Sequence, residues 1–184
     1  MSLFTTFTGR EIDFDNFNEN DVHLEDIAHH LSRLQRSCGS LPMDISYTVG
    51  EHCISLVKHF QKVGKISRLG LRMLLLHDAS EAYMADLPSP VKYRLPDYVE
   101  MESNIQRTIY KKLLNVDTDV LSDNLKTYDK RIYLDEVASL EPRNYIKVLQ
   151  GSEYQPLNCR IYHSHHPSTV KQCFLTLAKE LGIK

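Results

Sequence analysis

The chain of 184 residues is 42% hydrophobic and 25% charged, with seven glycines and seven prolines, a composition that excludes collagen-like, disordered and low-complexity proteins. Its 22 basic and 24 acidic side chains are interspersed and give a net charge of −2, so no basic stripe is available to follow a polymeric nucleic acid. The longest apolar run, residues 73–76, is too short to span a membrane, and four scattered cysteines suit the reducing cytoplasm.

Apolar residues recur at intervals of three and four in six segments, which predict six helices. In chain order these run from about residue 24 to 38, 49 to 63, 67 to beyond 76, 96 to 113, 122 to 140 and 168 to 181. Asp21 is expected to cap the first helix, which ends near Gly39. A capping box from Thr48 to Glu51 begins the second helix, and Gly64 ends it.

Prolines and one glycine mark the remaining boundaries. Pro88 and Pro90 predict a rigid, extended loop after the third helix, because proline restricts both itself and the residue before it. Pro96 suits the first position of the fourth helix, and Pro142 marks the far limit of the fifth. Gly182 lies just past the end of the last helix.

Evidence for strands is limited to residues 4–14 and 159–163, which could pair as a short ribbon. No repeat, linker or charge block marks a second domain. The sequence therefore predicts a single domain over residues 1–184, of the all-α class, forming a compact helical bundle with at most a small β ribbon.

Several ionisable side chains fall on helix faces that should be buried. They are His52, His77, Asp78 and Asp129. An unpaired buried charge is costly, so such residues persist mainly where a metal or a partner offsets it. Two imidazoles and two carboxylates suit a first-row divalent ion. Each residue alone is more often a hydrogen-bonded core side chain, and Asp135, on the same helix face as Tyr128 and Ile132, is a rival fourth ligand.

The order of these residues resembles the HD phosphohydrolase superfamily, in which one histidine, a His-Asp pair and a distant aspartate bind metal. Residues 77–92, HDASEAYMADLPSPVK, are similar to the central segment of bacterial 5'-deoxynucleotidases and of related phage deoxynucleoside triphosphate triphosphohydrolases. Residues 47–52 resemble the helix of the first ligand, and residues 26–36 resemble the phage branch. The similarity covers roughly residues 10–140.

The resemblance implies an HD-type fold and a single divalent ion, which could be zinc, manganese, cobalt or magnesium. The ligands that it implies are His52, His77, Asp78 and Asp129. Glu81 and Asp86 would then be the catalytic acid and base. Glu81 is four residues after His77 and three after Asp78, so on a continuous helix it would share their face.

Three cations are candidates for binding substrate phosphate: Arg36, Arg33 and Lys92. Arginine suits bidentate phosphate contacts, whereas lysine acts as a point charge, and a solvated surface role is the alternative for each. In the family a bulky aromatic or apolar residue often follows the arginine, whereas here Ser37 and Cys38 follow Arg36. His163, His165 and His166 form a separate cluster, interpreted as a loop feature.

The predicted function is metal-dependent hydrolysis of a small nucleotide, as a 5'-deoxynucleotidase or as a deoxynucleoside triphosphate triphosphohydrolase. The ion would activate water, and Glu81 or Asp86 would orient that water or handle the leaving-group proton. The alternative is a catalytically silent HD module that binds nucleotides as a regulatory or assembly component. We expect a homo-oligomer in the cytoplasm, or in the host cytoplasm if phage-encoded, with no polymeric nucleic acid and no membrane as partner.

Overall fold

The computed structural model describes residues 3–40, 46–164 and 166–184, and of Pro142 the backbone alone. Its helices are α1 (Leu24–Leu31), α2 (Val49–Val63), α3 (Arg68–Leu75), α4 (Glu81–Met84), α5 (Ser89–Lys92), α6 (Pro96–Leu114), α7 (Asp123–Leu140), α8 (Pro142–Gln150) and α9 (Pro167–Leu181). Its strands are β1 (Phe4–Thr5) and β2 (Glu11–Ile12). The all-α class with a small β ribbon is therefore confirmed, and no described helix is long and apolar enough to cross a membrane.

The β ribbon is a local hairpin. β1 pairs antiparallel with β2, with Phe4 opposite Ile12, and Gly9 takes a positive φ of 81° in the turn between them. The predicted pairing of residues 4–14 with 159–163 is wrong, because the first segment closes on itself. The second segment runs without regular strand structure and is attached to α2, where the Tyr162 amide donates to Ser55.

The central helix α2 begins and ends as its sequence predicts. Both halves of the capping box form, since the Thr48 hydroxyl accepts from the Glu51 amide and the Glu51 carboxylate accepts from the Thr48 amide. Gly64 ends the helix in the left-handed conformation, with φ of 69°. The predicted apolar face is buried against α3 and α9 and consists of Val49, Cys53, Leu56, Val57 and Phe60.

Helix α1 is shorter than predicted, and this difference positions Arg36. The helix stops at Leu31, and its N-cap is His23 rather than Asp21. The chain then turns so that the Val49 amide donates to the Leu34 carbonyl and the Arg36 amide donates to the Tyr47 carbonyl. This pairing with residues distant in sequence ends the helix and holds the 3-10 turn Arg36–Gly39 beside the start of α2.

The predicted continuation of α3 beyond residue 76 is also wrong. The helix ends at Leu75, and His77 and Asp78 lie in a series of tight turns before α4. Side chains satisfy the carbonyls at this end, because His77 Nδ1 donates to the Leu74 oxygen and Gln106 from α6 donates to the Leu76 oxygen. The His-Asp pair is thereby held at the end of a buried helix, close to Glu81.

Two of the prolines lie in the first turn of short helices that the sequence does not predict. Pro90 lies within the first turn of α5, so the predicted extended loop is limited to residues 85–88. Pro96 begins α6 as expected. Pro142 follows the end of α7 and also begins α8, a helix that the apolar spacing does not predict. Helix α9 starts one residue before its predicted beginning and ends at Gly182, with φ of 75°.

Candidate metal and active site

The four predicted metal ligands converge at one point between α2, the turn after α3, and α7. His52 Nε2 lies 3.2 Å from His77 Nε2 and 3.0 Å from Asp129 Oδ1. His77 Nε2 lies 3.5 Å from Asp129 Oδ1 and 3.2 Å from Asp78 Oδ2, which is 3.9 Å from His52 Nε2. Around an ion bound at about 2.1 Å, neighbouring donors lie about 3.0 Å apart at right angles and about 3.4 Å apart in a tetrahedron. The observed separations fit that spacing.

The second nitrogen of each imidazole is already engaged. His52 Nδ1 lies 2.6 Å from Glu136 Oε1, and His77 Nδ1 lies 2.8 Å from the Leu74 carbonyl oxygen. Each Nδ1 is therefore placed to donate, which leaves Nε2 as an acceptor directed at the cluster. Two lone pairs 3.2 Å apart, beside two carboxylates, repel one another unless a cation lies among them. The donor set thus fits a divalent ion.

The charges around the cluster favour a cation in the same way. Burial opposes the charged form of His77, but the Asp78 and Asp129 carboxylates raise its pKa well above the ordinary value. Against burial, His77 lowers the pKa of Asp78 to about 2. Cys53 lies behind the ring, with its sulfur 3.8 Å from His77 Nδ1, and burial raises the pKa of its thiol. With His77 and Asp78 it forms a second group of donor atoms, but its sulfur faces Nδ1 of His77 rather than the Nε2 that lies beside the two aspartates.

Glu136 is an important site residue that the sequence reasoning missed. Its carboxylate is buried and accepts from His52 Nδ1, from the Tyr47 hydroxyl at 3.0 Å and from Arg36 Nε at 3.0 Å. A carboxylate behind a metal-binding histidine fixes the tautomer and strengthens the ligand. The available signal was its spacing, because Glu136 is two helical turns after Asp129 and shares its face.

The three predicted phosphate-binding cations have different environments. Arg36 lies in the site, with Nη1 3.6 Å from Asp78 and Nη2 3.9 Å from Asp129. Lys92 also borders the site, where its Nζ lies 2.8 Å from Glu102. Arg33 is exposed and donates to Ser32 and to a neighbouring carbonyl within its own turn. The structure therefore brings Arg36 and Lys92 to the site but not Arg33.

A pocket of about 990 Å³ opens over the ligand cluster. Asp78, Asp129 and the two predicted catalytic carboxylates line its base, with Arg36 and Lys92 beside them. Its far wall comes from the middle of α7, from α8 and from the turn that follows α8. The residues there that sequence reasoning did not identify include Lys130, Tyr133, Val148 and Tyr154.

The two catalytic candidates differ in environment. Glu81 is only 7% exposed, and its Oε2 has no hydrogen-bond partner among the described residues. Burial, reinforced by the Asp78 and Asp86 charges, raises the pKa of Glu81 well above its ordinary value. Asp86 is half-buried, and its Oδ2 accepts from the Ser37 amide at 3.1 Å. Glu81 is therefore suited to carry a proton, while Asp86 attaches the Arg36 turn to the pocket.

The rival ligand Asp135 faces away from the cluster. Its carboxylate accepts from the amide of Leu157 at 2.9 Å and from the next two amides, so it holds that segment in place. In the second histidine group, His163 contacts Glu51 and His166 contacts Ser168, while His165 lies outside the described residues. Asp135 and the two described histidines of this group therefore add no ligand to the cluster.

Replacing Glu136 with glutamine is expected to weaken divalent metal affinity about 10- to 100-fold, the usual effect of losing a carboxylate behind a histidine ligand. Glutamine keeps the size but loses the charge that holds His52 Nδ1–H. Competition against a chromophoric chelator would measure the affinity. Glu100→Gln, at an exposed position on α6, is the matched control. Equal affinity in both variants would show that Glu136 does not support His52.

Comparison with known proteins places these residues within a family match. The model of a family described as 5'-deoxynucleotidase YfbR-like matches residues 46–148, which contain the four ligand candidates and both catalytic candidates. The uncharacterized protein YfdR of Escherichia coli is 35% identical over 112 residues, which cover 61% of this chain and 58% of that protein. The uncharacterized protein RCAP_rcc00048 of Rhodobacter capsulatus is 32% identical over 108 residues, or 56% and 54%.

A protein named 5'-deoxynucleotidase, from Vibrio atlanticus, is 30% identical over 78 residues, which cover 42% of this chain and 40% of that protein. The chain thus spans little more than half the length of the first two relatives, and less of the third. The family match, over residues 46–148, covers the part of the chain that carries the cluster.

Proposed function

We propose that this chain, which belongs to the YfbR-like family of HD-domain 5'-deoxynucleotidases, hydrolyses the phosphate ester of a small deoxynucleotide. Membership of this family implies a divalent metal ion. The observation that carries the proposal is the convergence of two histidine nitrogens and two carboxylates, 3.0–3.9 Å apart, at the base of a pocket. Burying polar and charged groups costs free energy, so a core without a ligand would favour apolar side chains at these positions.

In the proposed site, His52, His77, Asp78 and Asp129 hold the ion. A divalent ion bound there would supply Lewis-acid activation of water and of the phosphoryl oxygen. The protein fixes this arrangement in advance, because Glu136 and the Leu74 carbonyl orient the two imidazoles. Preorganised ligands cost no rearrangement during the reaction.

The two pocket carboxylates would handle protons. Glu81 is buried with an unpartnered oxygen, so it can donate a proton to a leaving-group oxygen that enters the pocket. Asp86 is more accessible and borders the same pocket, where it can orient the attacking water. Two carboxylates in unlike surroundings commonly divide the acid and base roles in this way.

The remaining pocket groups suit a nucleotide. Arg36 and Lys92 supply positive charge beside the cluster for phosphate oxygens. Tyr133, on α7, follows Asp129 by one turn, about 6 Å along the helix, and its side chain is 41% exposed. An exposed aromatic ring at that distance from the phosphate position can stack on a nucleobase.

A panel of deoxynucleoside mono- and triphosphates, incubated with several divalent ions, tests the proposal. Release of orthophosphate and a nucleoside from monophosphates is the expected result. Release of tripolyphosphate from triphosphates would instead assign the chain to the other activity of the superfamily. Release of neither, from protein that binds both metal and nucleotide, would identify a silent binding module.

Lys92→Ala is expected to raise KM for the nucleotide about tenfold with little change in kcat, because a phosphate contact made equally to substrate and transition state affects binding. Arg33→Ala is the matched control, since Arg33 is a nearby cation whose side chain points away from the pocket. Steady-state kinetics measure both. A large fall in kcat for Lys92→Ala would mean that the lysine acts in the chemical step.

A further inference from the structure

A second groove, of about 670 Å³, lies between the C-terminal half of α2 and residues 158–163. It shares no lining residue with the substrate pocket. Five of the residues that line it are basic or histidine, and none of the lining residues that the structure describes is acidic. These five are Lys58, His59, Lys62, Arg160 and His163. In a chain with a net charge of −2, this is a strong local concentration of positive charge.

The two lysines and the arginine of this group lack acidic partners among the described residues. Within the described ranges, Lys58, Lys62 and Arg160 take part in no ion pair. Lys58 Nζ lies 4.0 Å above the centroid of the Tyr162 ring, a cation–π contact that holds the ammonium over the groove. The carboxylate of Asp135, which lies on the adjacent α7, is occupied by backbone amides. Like charges gathered without partners repel, so an anion placed among them would be stabilised.

The wall opposite α2 is firmly held. The Tyr162 amide donates to Ser55 Oγ at 2.9 Å, and the Leu157 amide donates to Asp135 at 2.9 Å. The Ser164 amide donates at 2.5 Å to Glu51, which is fully buried. Both ends of the segment are thus fixed by buried or half-buried acceptors. A groove whose walls are fixed in advance loses little conformational freedom when it binds a ligand.

We propose that this groove is an effector site for a small, multiply charged anion of the oligophosphate class, such as a nucleoside triphosphate. Three converging cations match a chain of phosphates better than a single carboxylate, and Arg160 offers a bidentate donor. Tyr162 and Ile161 supply an apolar surface that a nucleobase could contact.

The groove is linked to the ligand cluster through α7. Asp135, which holds the groove segment, immediately precedes Glu136, which orients His52. An anion that draws Arg160 toward α2 would shift the preceding amides, which donate to Asp135. A shift of Asp135 would in turn move Glu136 relative to His52. The effector role rests on the proposed hydrolase activity, whereas the binding site does not.

Isothermal titration with inorganic tripolyphosphate and with dATP, in the presence of EDTA, tests the binding site. We expect saturable binding that Lys62→Glu and Arg160→Glu each weaken about tenfold or more. Lys65→Glu, an exposed lysine outside the groove, should leave it unchanged. No saturable binding of either ligand, or an equal loss of affinity in Lys65→Glu, would overturn the proposal.

Nucleotidase assays at fixed free metal concentration test the effector role. Added tripolyphosphate should change kcat/KM of the wild type and not that of Lys62→Glu. An unchanged kcat/KM in the wild type would overturn the effector role. The titration would still decide whether the groove binds the anion. If the wild type hydrolyses no nucleotide, the proposed function is wrong. The titration still tests the binding site, because it does not depend on hydrolysis.

Discussion

Replacing Asp78 with alanine is expected to abolish metal binding and reduce nucleotide hydrolysis to background. Asp78 Oδ2 lies 3.2 Å from His77 Nε2, and His77 lowers the pKa of this carboxyl to about 2 against the effect of burial. The carboxylate is therefore anionic at any working pH. Its loss removes a ligand and one of two aspartate charges, the other on Asp129, that stabilise a divalent ion there. Elemental analysis and a phosphate-release assay measure the two effects.

Asp117→Ala is the control for this experiment, because Asp117 is 74% exposed and distant from the cluster. Both variants should show a cooperative thermal unfolding transition, and Asp117→Ala should keep its metal and its activity. Arg36 loses its partner at 3.6 Å in Asp78→Ala but keeps Glu136, so the site is not left with an unpaired buried arginine. Full metal occupancy in Asp78→Ala would remove Asp78 from the ligand set.

Local signals in the sequence predict the helices best. The capping box of α2 and the glycine at its end depend on residues within one turn, and both form as expected. The end of α1 could not be predicted in the same way, because residues 34–36 leave the helix to pair with residues 47–49. The end of α3 is likewise fixed by Gln106, thirty residues away in sequence. Long-range hydrogen bonds thus override helical periodicity at both positions.

The candidate site likewise combines features that the sequence predicts with features that depend on the folded chain. Of the four ligand candidates, only His77 and Asp78 are adjacent in sequence, and the structure brings His52 and Asp129 to them from distant helices. Arg36 and Arg33 are equivalent by sequence, and only the irregular turn after α1 distinguishes a half-buried cation from an exposed one. Tyr133 and Tyr154 line the pocket because α8 folds back on α7, an arrangement that periodicity does not reveal.

The contrast between the two pocket carboxylates bears on the chemical step. Asp86 is half-buried and accepts a hydrogen bond from the Ser37 amide. Glu81 has Lys92 at 3.9 Å as its nearest cation, and one of its oxygens has no partner in the described part of the chain. A buried carboxyl in such surroundings holds its proton, so its side chain can donate at neutral pH.

Glu81→Gln is therefore expected to lower kcat about 10²- to 10⁴-fold, the range typical of lost acid–base catalysis, while the metal content stays at the wild-type level. Glutamine preserves the volume and can still hydrogen-bond, but it cannot transfer a proton. Steady-state kinetics and elemental analysis of the same preparation separate this effect from the loss of metal expected for Asp78→Ala. Glu100→Gln, exposed on α6, controls for the change of charge. Wild-type turnover in Glu81→Gln would exclude Glu81 from proton transfer, and loss of the metal would make it part of the metal-binding shell.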